Sequence, residues 1–208
     1  MVAVRIGTVE PPLDRPALVE PATRLLRRAL ALGLLGNQEK LDRLDLDLVR
    51  RIAREASTAG IGLDAAVALL HEDAGTQRFV RLIERLEDSL TESPLPTREV
   101  PELLRVFDRA ELATLLGTSS VSLGRYLSGS REWPDKLAAR IHWLALVVSD
   151  LHGAYNDFGV RRWFDRARAQ LGGRAPRQAL GSGWDPDSPE AERVRQLAAS
   201  LAGVGAAT

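Results

Sequence analysis

Apolar side chains return at helical spacing along almost the whole of this 208-residue chain, and runs of β-branched residues are scarce. A period near 3.6 over that extent is the mark of amphipathic helices and leaves little room for a sheet. The fold class this predicts is all-α. Leu18, Leu25, Leu26, Ala29, Leu32 and Leu35 form a first stripe, stopped by Gly36-Asn37. Leu44, Leu48, Ile52 and Ala56 form a second. Asp64 is placed to cap a short third helix and Thr76 a fourth, which carries Phe79, Leu82, Ile83, Leu86 and Leu90. Residues 91–97, with Pro94 and Pro96 among polar neighbours, read as a linker. Helices are then expected over 101–107, 109–116, 120–127, 135–155, 160–171, a short one from Pro176, and 190–201. No internal repeat or low-complexity tract interrupts this order.

Composition narrows the function classes. With 28 Lys+Arg, 28 Asp+Glu and 45% apolar residues, the chain is too apolar and too evenly charged to stay disordered. The absence of cysteine excludes a disulfide scaffold, a thiolate zinc site and a cysteine nucleophile. His71, His142 and His152 form no metal-binding spacing, so neither a metal nor a cofactor is expected. No nucleophile–base pair or phosphate loop is readable, so no enzyme is expected. No apolar run approaches the roughly 18 residues of a membrane span. The opening MVAVRIGTVEPPLDRP lacks the apolar core of a secretory signal. The expectation is a soluble, cytoplasmic protein.

Charge is uneven. Residues 1–100 hold 14 cations and 16 anions, residues 101–180 hold 12 and 8, and residues 181–208 hold 2 and 4. The middle stretch, net +4, is therefore the candidate for an anionic partner. Three domains are expected: 1–95, of unknown role; 96–150; and 151–208.

One motif in that stretch has a spatial mechanism. Residues 109–127 read RAELATLLGTSSVSLGRYL. Asp108 and Glu111 have the spacing of a capping box. Leu112, Leu116 and Leu123 face inward, the small Ala113 permits close approach of two helices, and Gly117 permits a left-handed turn. This is a helix-turn-helix pattern, whose second helix starts at Ser119 or Ser120 and is shaped to lie in a DNA major groove. On it Ser119, Ser120, Val121, Ser122 and Arg125 are candidates for base or phosphate contacts. Tyr126 is a core residue with its hydroxyl at the phosphate line. Arg131 and Lys136 suit the DNA backbone. Two short helices joined through a glycine also occur in plain bundles. The small reading face makes dimerisation necessary for useful affinity.

The second informative stretch is HGAYNDFGVRRWFDRARAQLGGRAPRQAL, residues 152–180. Gly172-Gly173 lets the chain reverse, and Pro176 fixes the start of the next helix. Trp163 and Phe164 bring large area to bury. Arg161, Arg162, Arg174 and Arg177 surround this aromatic turn and read equally well as a partner surface or a solvated corner.

From about residue 107 onward the chain resembles the Xre/MbcA/ParS antitoxin family. The resemblance rests on the helix-turn-helix, the Trp163-Phe164 pair, the Leu171-Gly172-Gly173-Arg174-Ala175-Pro176 turn, Leu180, and a closing helix with Val194, Leu197 and Leu201. It implies an N-terminal helical segment, a helix-turn-helix domain and a small C-terminal helical toxin-binding domain. It implies an antitoxin that binds and neutralises a RES-type, NAD-degrading toxin and represses the shared operon at a double-stranded DNA operator. A homodimer, or a higher hetero-oligomer with the toxin, is implied too. The toxin-facing segment corresponds to residues 163–208, which includes Trp184. The loop 181–189 is longer than the family pattern, and the tail 203–208 has no charged side chain. The alternatives are a stand-alone helix-turn-helix transcriptional regulator and a helical adaptor, both without a toxin partner.

Overall fold

The computed structural model describes residues 7–36, 43–74 and 77–202. The protein is all-α: among the described residues there are eleven α-helices and only two strands of two residues each. The chain divides into two compact units, one within Val4–Pro94 and one within Leu95–Thr208.

In the first unit, β1 (Thr8–Val9) pairs in parallel with β2 (Arg43–Leu44). Helix α1 (Pro16–Ala31) opens with a proline, whose missing N–H costs nothing in a first turn. Helix α2 (Leu46–Thr58) is capped by Asp45, whose carboxylate accepts from the Leu48 amide at 2.8 Å. Helix α3 (Leu63–His71) starts from Gly62 in a left-handed conformation. Asp64, expected as its cap, instead lies in the first turn. There its charge still favours the positive end of the helix. Helix α4 (Gln77–Thr91) completes the unit. Thr76, expected to cap it, lies outside the described residues. Helix α1 packs on α2 and α4, and α3 packs on the same two. Leu25, Ile52, Phe79 and Leu86 are fully buried in this unit. The two apolar stripes read from the sequence are buried, mostly as faces of α1 and α2, with Leu32 and Leu35 just past α1 and Leu44 in β2.

The second unit is built around one helix. It contains α5 (Pro96–Val106), α6 (Arg109–Leu116), α7 (Ser120–Leu127), α8 (Asp135–Leu151) and α9 (Asp157–Asp165). A 3-10 turn (Ala169–Leu171), α10 (Pro176–Leu180) and α11 (Pro189–Ala202) follow. Every residue of α8 from Ile141 to Ser149 is buried. A helix buried on all sides needs covering on all sides. Helices α5, α6 and α11 supply the cover, while α9 lies against α5, and α10 against α9 and α11. Residues 96–150 and 151–202 therefore share a single core.

Boundaries differ from expectation in three places, the first being the long helix expected over 135–155, which stops at Leu151. Pro96 opens α5 rather than lengthening a linker, and Pro101 is carried inside the helix. The expected helix over 160–171 starts earlier and stops sooner. Asn156 caps it by accepting from the Gly159 amide at 2.9 Å, and Arg166 turns extended to end it.

Candidate functional site

The helix-turn-helix is assembled from local hydrogen bonds. The Asp108 carboxylate accepts from the Glu111 amide at 2.8 Å, and the Glu111 carboxylate accepts from the Asp108 amide at 3.2 Å. This reciprocal box starts α6 and occupies both acidic side chains. Gly117 ends α6 with φ +67°, and the Thr118 amide closes back on the Ala113 carbonyl at 2.9 Å. A side chain at Gly117 would be crowded as well as strained: its Cβ would lie 3.1 Å from Arg140 Nη1 and 3.2 Å from the Gly183 amide nitrogen.

Those neighbours show how the end of α6 is sealed. Terminal carbonyls of a helix lack intrahelical donors. Here Trp184 Nε1 donates to the Leu115 carbonyl at 2.7 Å, and Arg140 Nη1 donates to Leu116 at 3.2 Å. Arg140 Nε also donates to the Trp184 carbonyl at 2.6 Å. The Trp184 ring packs edge-on to Trp143 at 4.6 Å. The loop carrying Trp184 is thereby stitched to the turn of the helix-turn-helix.

Helix α7 presents the candidate DNA face. Ser119 caps it: its hydroxyl accepts from the Ser122 amide at 3.0 Å and donates to the Ser122 hydroxyl at 2.9 Å. Ser122 is left with a proton to donate outward. Leu123 and Tyr126 are buried. Ser119, Val121 and Arg125 are exposed, Val121 to 65%, while Ser120 and Ser122 are half-buried. The Arg125 carbonyl accepts from the Ser128 hydroxyl and the Ser130 amide, both at 3.0 Å, but the Arg125 guanidinium has no hydrogen bond or ion pair among the described residues, so the fork is free to meet a guanine edge or a phosphate. Tyr126 stacks on Trp133 at 5.0 Å, and the exposed Arg131 lies 5.3 Å over the Tyr126 ring. Lys136 is exposed in the first turn of α8. The serines, Val121 and Arg125 therefore share one helix, with Arg131 and Lys136 following it in the chain.

The residues expected to face a toxin separate into three environments. Trp163, Phe164 and Trp184 are core residues, 1%, 0% and 5% exposed. Trp163 and Phe164 meet edge to face at 5.1 Å, and Phe164 meets Phe107 at 5.6 Å. Arg161 and Arg177 are half-buried and partnered. Arg161 donates to the Val106 carbonyl at 2.7 Å, and Arg177 pairs with Asp165 at 2.9 Å. Arg162, Gly172, Gly173 and Arg174 lie on the surface. The two glycines have φ of +64° and +78°. Their corner is closed by the Arg168 amide donating to the Arg174 carbonyl and the Gly173 amide to the Arg168 carbonyl, both at 3.0 Å. The tail 203–208 lies outside the described residues.

A polar pair lies in the same core. His142 Nδ1 is 2.5 Å from Glu99 Oε1, joining α8 to α5. Burial pushes the Glu99 carboxyl above its ordinary range, and the hydrogen bond to His142 pulls it partly back. This pair and the Trp184 clamp were not readable from spacing, since 43 and 69 residues separate their partners. The available signal for the clamp was a helix, α6, with no basic residue in its last turn to meet its carbonyls.

Among the described residues, no group of three or more His, Cys, Asp and Glu could hold a metal ion, and no helix is long and apolar enough to cross a membrane. No family model matches the chain, and no curated protein or solved structure matches it either.

Proposed function

We propose that this is a helix-turn-helix DNA-binding protein that reads an operator through α7. We further propose, from the resemblance of residues 107–208, that it is the antitoxin of a RES-type toxin and represses the operon they share. In this reading it is not an enzyme, needs no cofactor, works in the cytoplasm and binds DNA as a dimer.

The observation that supports DNA binding is the open side of α7. Val121 stands in solvent, the Arg125 guanidinium has no partner among the described residues, and Arg131 and Lys136, which follow in the chain, are exposed. An apolar side chain on a polar helix face fits a thymine methyl, and a free arginine fork fits guanine. The toxin half of the reading is supported by sequence resemblance, and by the exposed Arg162 on α9 and Arg174 next to Gly173.

Gel-shift titration against the DNA upstream of its own gene tests the first half. Arg125→Ala is expected to weaken binding by about 1–3 kcal/mol, roughly five- to a hundredfold, and to reduce the salt dependence. Wild-type and variant curves that coincide refute the α7 reading. Co-expression with a neighbouring RES-like reading frame tests the second half, with restored growth expected. One observation favours the alternative of a regulator or adaptor without a toxin: Trp163, Phe164 and Trp184 are committed to the core. The regulator predicts operator binding with no rescue from the toxin, and the adaptor predicts neither.

A further inference from the structure

A surface cavity of about 120 Å³ runs along α9 and the segment after it, lined by Tyr155, Phe158, Arg162, Trp163, Arg166 and Arg168. Every charged side chain in this wall is an arginine. The Arg162 guanidinium lies 5.6 Å over the Phe158 ring, and that of Arg168 lies 5.4 Å over Trp163. Such stacks orient a guanidinium while leaving its edge free to donate. The two carboxylates of α9 are engaged elsewhere: Asp165 by Arg177 at 2.9 Å, and Asp157 by His152 at 3.0 Å. Arg162 and Arg166 are exposed and form no ion pair among the described residues.

Trp163 Nε1 and Arg168 Nε are sealed from solvent with no acceptor among the described residues, so the donors open to a ligand here are other guanidinium nitrogens of the arginines.

We propose that this cavity binds a small phosphorylated molecule, whose phosphoryl oxygens are taken by Arg162, Arg166 and Arg168. Three guanidinium groups around so small a volume offer more donors than the two oxygens of a carboxylate can accept. A phosphoryl group brings three acceptor oxygens and up to two charges. The volume is too small for a folded partner. Phe158, 58% exposed at the rim, offers a flat apolar face to whatever the phosphate carries. The ligand is thus either inorganic phosphate or a phosphate bearing a flat ring. The proposal does not rest on DNA reading, because α7 contributes nothing to the cavity.

Calorimetric titration of the full chain with inorganic phosphate, adenosine monophosphate and adenosine tests it. Saturable binding of at least one phosphate compound is expected, with adenosine at least tenfold weaker than its monophosphate. Equal affinity for phosphate and the monophosphate supports the free ion as ligand. Tighter binding of the monophosphate supports a ring-bearing ligand, and Phe158→Ala then removes the difference. The double variant Arg162→Gln, Arg166→Gln changes only exposed side chains and is expected to keep its melting temperature while binding at least tenfold more weakly. Adenosine binding as well as its monophosphate, a double variant with unchanged affinity, or saturable binding of duplex DNA alone each overturns the proposal.

Discussion

Two stretches of this chain carry the residue types that partners recognise, and they end in opposite environments. On α7, Ser119, Val121 and Arg125 face solvent. Around α9 and the loop before α11, Trp163, Phe164 and Trp184 are inside. The difference follows from what each type costs to leave in water. Serine and arginine are well solvated, and a helix can display them freely. The chain has four Trp and four Phe in all, and burying a large apolar side chain contributes about 1.5–3 kcal/mol. A small unit that left three of these eight outside would forgo much of its core. Aromatic residues near arginines thus mark an interface only after the core has taken what it needs.

The largest effect is expected from removing Trp184. If it belongs to the fold, Trp184→Ala is expected to cost about 3–5 kcal/mol. It leaves a cavity beside Trp143 and takes the donor from the Leu115 carbonyl. Trp184→Phe keeps most of the packing and loses the hydrogen bond, for about 1–3 kcal/mol. Urea denaturation separates the two. A Trp184→Ala cost below about 1 kcal/mol would place Trp184 outside the core and return it to the partner-facing set.

Gly117 comes next. Alanine there meets two penalties: about 1–2 kcal/mol for the left-handed backbone, and crowding against Arg140 and the Gly183 backbone. Together they predict a loss of about 2–3 kcal/mol, from which small shifts of the loop give no full escape. A Gly117→Ala protein as stable as wild type would mean that the loop is not held against the turn. The open face of α7 would then lack a fixed base.

The helices were legible where the physics is local. Their apolar stripes, the Asp108–Glu111 box and the Gly117 turn all depend on residues close together in the chain, so spacing alone specifies them. What was not legible depends on distant partners. Pro96 reads as a linker residue until α5 is seen packing on α8, after which a proline at a helix start is the natural reading. The β1–β2 pairing is two residues long, too short for any periodicity. The roles of Trp184 and of the Glu99–His142 pair are set by groups 69 and 43 positions away. On α7 the exposure of Arg125 and Val121 followed from helical phase. Whether Trp163 faces out or in did not, because α9 could turn either side toward α5 until packing chose.

A smaller effect sharpens the comparison at a polar position in the same core. Glu99 has a raised folded-state pKa, caused first by desolvation and partly offset by His142. A carboxylate raised in the folded state contributes stability that is complete below its unfolded value, near 4.5. That contribution is lost as pH rises through the raised value. Glu99→Gln cannot titrate. The stability of wild type relative to Glu99→Gln is therefore expected to fall as pH rises above about 4.5, read by urea melts across roughly pH 4 to 8. Parallel pH profiles would show that Glu99 is solvated after all and does not belong to the buried interior around α8.

The smallest expected change is at Gly124, the other glycine of the helix-turn-helix. It lies within α7 with an ordinary helical backbone, and a Cβ there would meet only Arg109 Nη1, at 3.7 Å, a normal contact with a flexible side chain. Glycine inside a helix is worse than alanine by about 0.5–1 kcal/mol, because it loses more backbone freedom on folding. Gly124→Ala is thus expected to stabilise the protein by about that amount. It should leave DNA affinity unchanged, since it adds one methyl beside Arg109 and alters neither Val121 nor Arg125. Two glycines seven residues apart, changed to the same residue, should move stability in opposite directions. Gly117 is tied to the buried loop of Trp184, and Gly124 borders open surface. If Gly124→Ala destabilises instead, α6 and α7 approach more closely than 3.7 Å allows, and the open side of α7 is narrower than the contrast with the aromatic core requires.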